Sequence, residues 1–198
     1  MRRSRLQRLR DGVSDAVQRD TNINGQSYGL TTLYPVLSGH EDALEDHLAA
    51  LPVEASPLAA LPQLHFSRLH VIRDLVYQGS PQKRDPLRSA HLIFTASLDG
   101  AVDRFIDDVA GLGEAVDAIF SHCVGYPGSD DRAAFARYIT EHQTDNGYFL
   151  SAYPRATVAD VREGLRVANG MADLAARSRT LDDAALQAEF RDLMAGGR

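Results

Sequence analysis

A single cysteine, Cys123, stands in 198 residues, so the chain can form no internal disulfide and no Cys-cluster metal site. That usage fits a reducing compartment, and a cytoplasmic protein is expected. The sequence lacks any run of about 18 apolar residues, the length a transmembrane helix needs. A basic excess is missing too: 21 Lys and Arg face 27 Asp and Glu, for a formal charge of −6. Bulk nucleic-acid binding needs a basic stripe and is not expected. Gly-x-Gly-x-x-Gly, phosphate-loop and nucleophile-elbow motifs are absent. So are His-x-x-x-His, His-Glu-x-x-His and paired Glu-x-x-His spacings, which argues against a dedicated zinc or di-iron site. No repeat of solenoid period occurs. What remains is ordinary globular material, 44% hydrophobic and 24% charged, in a chain long enough to bury a core.

Charge is uneven along the chain. The first ten residues hold five Arg and no acid. Leu6, Leu9, Val13, Ala16 and Val17 follow at helical spacing. Residues 1–19 therefore read as a basic amphipathic helix, suited to a membrane surface or a docking partner. Residues 20–27 read as a polar linker, with Gly25 free to take a positive φ. Three units follow: 1–27 as amino-terminal segment and linker, 28–154 as an α+β core, and 155–198 as a helical extension of the same domain.

Periodicity predicts strands over 28–37, 65–75, 90–98 and 148–154. Helices are expected over 41–51, 101–113, 114–123, 131–143 and 157–178, with a last one after Thr180. SGHE (38–41) and TVAD (157–160) have capping-box spacing. The polar stretch 76–89 reads as a long surface excursion. The order is β-α-β-β-α-β, the ferredoxin-like plan: a four-stranded antiparallel sheet with helices on one face. Extra helices precede the last strand and follow it. The other sheet face stays open. Alternation assigns Leu69, Val71, Leu92, Phe94 and Ala96 to the helix side. Phe66, Arg68, His70, His91, Ile93, Thr95 and Ser97 fall on the open face.

On this element order over 28–154 the chain resembles the dimeric α/β barrel superfamily. That group includes antibiotic-biosynthesis monooxygenase-like proteins, chlorite dismutases and dye-decolourising peroxidases. SLDG (97–100) is similar to the Gly-x-x-Asp-Gly motif of the peroxidases but lacks its first glycine. The resemblance implies open sheet faces packed together, a homo-oligomer, and a small-molecule oxidoreductase with haem or with no cofactor.

The histidines supply the candidate chemistry. His65, His70 and His91 lie on central strands, with Arg68 between the first two. A haem iron takes one axial imidazole, and a distal Arg can stabilise bound oxygen species. Arg68, His70, His91 and His122 are the candidate catalytic residues; His65, Arg68 and Tyr126 are the candidate cofactor contacts. A strand histidine more often serves as a hydrogen-bonded structural residue. SHCVGYPG (121–128) gathers a thiol, an imidazole and a phenol in a bent loop. Cys123 and His122 are neighbours on a helix end and point apart, so a nucleophile–base couple is not expected there. Asp103 and Asp107 lie one turn apart, as on a solvated acidic face. Two functional classes follow: an oxidoreductase acting on a small molecule in a pocket on the open face, or a non-catalytic accessory protein docking through its basic amino-terminal helix. RNA binding by the sheet is disfavoured, because Phe66 is the one aromatic in the open set.

Overall fold

A computed structural model describes residues 21–52, 55–83 and 86–196. The basic segment 1–19 lies outside them. The described chain is α+β, with one four-stranded antiparallel sheet and six α-helices. The strands are β1 (Ile23–Asn24), β2 (Ser27–Pro35), β3 (Leu64–Ile72) and β4 (His91–Asp99), in spatial order β1-β2-β4-β3. The helices are α1 (Glu41–Ala50), α2 (Val102–Ala110), α3 (Glu114–Phe120), α4 (Arg132–Glu141), α5 (Val158–Arg177) and α6 (Asp183–Ala195). No described helix is long and apolar enough to cross a membrane.

Strict alternation on β4 decides which sheet face is buried. Leu92, Phe94, Ala96 and Leu98 are buried, while the residues between them are half-buried. On β2, Leu30, Thr32 and Tyr34 join them. Against this face pack Phe105, Ile106 and Val109 of α2, Ile119 and Phe120 of α3, and Phe135, Tyr138 and Ile139 of α4. Tyr34 stacks on Tyr138 at 5.1 Å and meets Phe120 edge-on. Its hydroxyl is buried with no hydrogen-bond partner, since nearby Thr32 donates to the Phe94 carbonyl. An unsatisfied buried hydroxyl costs about 1–3 kcal/mol. Tyr34→Phe should therefore leave stability unchanged or raise it by up to that amount, as read by chemical denaturation.

The fourth core strand expected over 148–154 is not formed. The free edge of β2 is already occupied in pieces. Gly29 N donates to the Asn22 carbonyl, Leu33 N to that of His142, and Leu37 N to that of His122. Thr144 and Val124 return bonds to the carbonyls of Thr31 and Pro35. Residues 148–154 are left without an edge and pass over the open face of the sheet instead. A Cβ on Gly29 would lie 2.7 Å from the Phe149 ring, which fixes how closely this strap approaches.

Residues 22–27 are not a linker. Asn22 is buried, and Gly25, at φ +66°, turns the chain between β1 and β2. The SGHE capping box is also displaced. His40 is the N-cap without a side-chain bond, and Glu41 accepts from Gly39 N rather than from Ser38. The box at Thr157 and Asp160 forms as expected and starts α5. The excursion after β3 holds no regular element among its described residues, and Asp74 Oδ1 gathers the amides of Leu75 and Leu87 at its base. Helices α5 and α6 form an antiparallel pair, in which Gly170 receives Leu193 so closely that a Cβ would fall 2.3 Å from it. Arg177 pairs with Glu189 farther along the same pair.

Candidate functional site

Register places the open-face residues in rungs. Gly29, Ser97 and Phe66 form one, and Thr31, Thr95 and Arg68 the next. Leu33, Ile93 and His70 follow, then Pro35, His91 and Ile72. The alternation read from sequence is therefore the observed one. Arg68 and His70 on β3 are exposed, and Arg68 makes no ion pair among the described residues. His91 sits at the far rung with Nδ1 3.0 Å from the Ser89 carbonyl oxygen.

The strap closes over the first rung and makes a cavity of about 340 Å³. Ser27, His65, Phe66 and Ser97 form its sheet side; Phe149, Leu150, Ser151 and Tyr153 form the strap side, and Val161 of α5 its end. Asparagine clasps hold the strap: Asn146 N donates to Asn22 Oδ1, and Asn146 Nδ2 donates to the Gly29 carbonyl. Gln26 N donates to the Pro154 carbonyl, and Ser27 Oγ to Ser151 Oγ.

A bulge between Leu64 and Phe66 turns His65 toward Asp99, the last residue of β4. His65 Nε2 lies 2.6 Å from Asp99 Oδ1, and the two side chains are 23% and 12% exposed. The other carboxylate oxygen, Oδ2, accepts from Val158 N at 2.6 Å. Val158 is the first residue of α5, so the carboxylate also sits at a helix amino terminus, where negative charge is favoured. Asp99 thus fixes one ring nitrogen of His65 and leaves Nδ1 for a ligand. This is the arrangement of a general base with an orienting carboxylate. A groove of about 570 Å³ adjoins the cavity, sharing His65 and Phe66 and carrying Arg68 and Arg162 on its walls.

The other candidates lie elsewhere. Tyr126 faces the helix side, packed between Phe120, Phe135 and Tyr138. Its hydroxyl donates to Asp117 Oδ1 at 2.5 Å, and Ser129 donates to the same carboxylate through N and Oγ. These bonds hold the Asp117 carboxyl below its ordinary range, with the Tyr126 hydroxyl the strongest contributor. Cys123 is buried, and burial pushes its thiol up to about 12, so it stays protonated and inert at neutral pH. His122 faces His40 beyond the end of β2 away from the cavity, where Leu37 N donates to its carbonyl.

The sequence reading missed Asp99, Arg162 and the strap. In sequence Asp99 stands in an Asp-Gly step, which reads as a turn. The signal that could have found it was SLDG itself, a carboxylate at a strand end.

A haem would need an imidazole nitrogen facing a slot as wide as the porphyrin. His65 gives Nε2 to Asp99, His91 gives Nδ1 to a backbone carbonyl, and His70 stands exposed on the edge strand. The bond on one ring nitrogen orients His65 and His91 and leaves the other nitrogen of each ring open to a ligand. A more open apolar groove of about 580 Å³ runs between α5 and α6, lined by Met171, Leu174, Leu186 and Phe190, with no charged group but Asp183.

No family model, no curated protein and no solved structure matches this chain.

Proposed function

We propose that the protein is a cofactor-independent enzyme acting on a small anionic molecule with an apolar body. The observation that carries this reading is the His65–Asp99 pair at 2.6 Å on the wall of a largely apolar cavity. The apolar body packs against Phe66, Phe149, Leu150 and Val161. The anionic group is held by Arg68 and Arg162 on the walls of the adjoining groove, because a guanidinium binds carboxylate or phosphate through a planar fork. His65 Nδ1 takes a proton from the bound molecule, and Asp99 stabilises the imidazolium that forms. The resulting carbanion or enolate is the entry point both to rearrangement and to direct reaction with oxygen.

A general base contributes about 10²- to 10⁴-fold to rate. Purified protein should be incubated in air with a panel of aryl and branched-alkyl keto acids, with deuterium exchange and oxygen uptake followed. The reading expects exchange at an acidic carbon of at least one compound, lost by about that factor in His65→Ala. Exchange that is equal in both proteins would exclude His65 as the base.

A second reading is a docking surface, covered by a second copy or another protein. It is favoured by Phe66, Tyr148, Leu150, Tyr153, Val161 and Leu165, all exposed. Exposed apolar patches commonly mark interfaces. A docking surface needs no imidazole, so His65→Ala would leave such an association intact.

A further inference from the structure

We propose that His40 and His122 form a binding site for a divalent transition-metal ion such as Zn²⁺, through Nδ1 of each ring. The two Nδ1 atoms stand 3.2 Å apart. Two imidazole nitrogens bound at 2.0–2.1 Å to one tetrahedral zinc stand about 3.3 Å apart. The rings meet edge to face, 70° between planes, with centroids 5.2 Å apart. Imidazole is a good ligand for Zn²⁺, Cu²⁺ and Ni²⁺.

The backbone holds the pair in place. Leu37 N donates to the His122 carbonyl at 2.8 Å, and His40 N donates to the Leu37 carbonyl at 3.0 Å. Both rings therefore hang from one junction, although 82 residues separate them in sequence. A third imidazole lies in the neighbourhood: His47 of α1 is close enough for its charge to be felt at His122. His47 Nε2 is itself buried with no hydrogen-bond partner. A plain His–His hydrogen bond gives the same 3.2 Å separation, so the response to added metal is what separates the two. Among the described residues no three or more of His, Cys, Asp and Glu stand ready to hold a metal. The ion therefore takes two protein ligands directly, with water completing the tetrahedron. It would pin the start of α1 to the loop after α3, away from the His65 cavity.

The test is Zn²⁺ titration of the full-length, tag-free protein by calorimetry, with Co²⁺ absorption as a spectroscopic check. One equivalent of Zn²⁺ should bind, at least tenfold more tightly than to His40→Ala or His122→Ala. Saturating Zn²⁺ should raise the Tm of the wild type and not of the variants. His40 is exposed, so His40→Ala keeps the fold and gives a readout even where His122→Ala does not. His70→Ala should bind as the wild type does. No binding by the wild type, or equal binding by wild type and His40→Ala, overturns the site.

Discussion

Gly25→Ala should lower the stability of the protein by about 3 kcal/mol, the sum of a clash and a strained backbone. Gly25 has φ +66°, a left-handed conformation that costs a residue with a side chain about 1 kcal/mol or more. The larger part is contact. An added Cβ would lie 2.2 Å from the Pro154 carbonyl oxygen, 2.7 Å from Pro154 Cβ and 2.9 Å from its carbonyl carbon. Two of these are backbone atoms and the third belongs to a ring, so none can swing aside. Relief requires the strap to lift, which breaks the bond from Gln26 N to that carbonyl. For a chain of this size each kcal/mol moves the Tm by roughly 2–4 °C. A fall near 10 °C is therefore expected by calorimetry. Gly39→Ala is the control, because Gly39 has φ +85° but open space around it. It should show the backbone part alone. Equal losses in the two variants would mean that the strap does not press on the first turn.

Asp99→Ala should be the most damaging single change at the site. The carboxylate accepts from His65 Nε2 and from Val158 N, each at 2.6 Å, and is only 12% exposed. Hydrogen bonds to a charged group contribute about 1.5–3 kcal/mol each. Loss of both should cost about 3 kcal/mol or more and free the first turn of α5. Hydrogen exchange should then speed up at the amides of Val158 to Val161, while those of β2 and β4 stay protected. Asp99→Asn keeps an acceptor for Val158 N and should recover part of the stability. It removes the charge that steadies a protonated His65, so proton-transfer activity should not return with the fold. Recovery of both together would reduce Asp99 to a helix cap.

The alternation of the strands carried most of the fold into view. Leu92, Phe94 and Ala96 fall on one side of β4 and His91, Ile93, Thr95 and Ser97 on the other, because a pleated strand turns successive side chains to opposite faces. The same pattern placed Arg68 and His70 on the open face. What stayed hidden depends on contacts distant in sequence. YFLSAYP has the composition of a strand, and propensity cannot know that Asn22, His142 and His122 already fill the edge it would need. His65 was legible as a candidate but its partner was not. The bulge beside it shifts the register by one residue, and only the folded sheet brings the end of β4 within reach. Tyr126 looked like a ligand contact because its loop is rich in polar tips. Asp117, nine residues earlier, turns that loop into a structural clasp.

In the proposed enzyme the cavity under the strap binds a small anionic molecule beside His65. The direct measurement is an amide chemical-shift titration of the ¹⁵N-labelled protein with the keto acids of the turnover panel. Saturable shifts should appear at Ser27, Phe66, Ser97 and residues 149–153, with weaker binding in Arg68→Ala. Shifts confined to the groove of Met171, Leu174, Leu186 and Phe190, or no saturable shift with any acid, would contradict it.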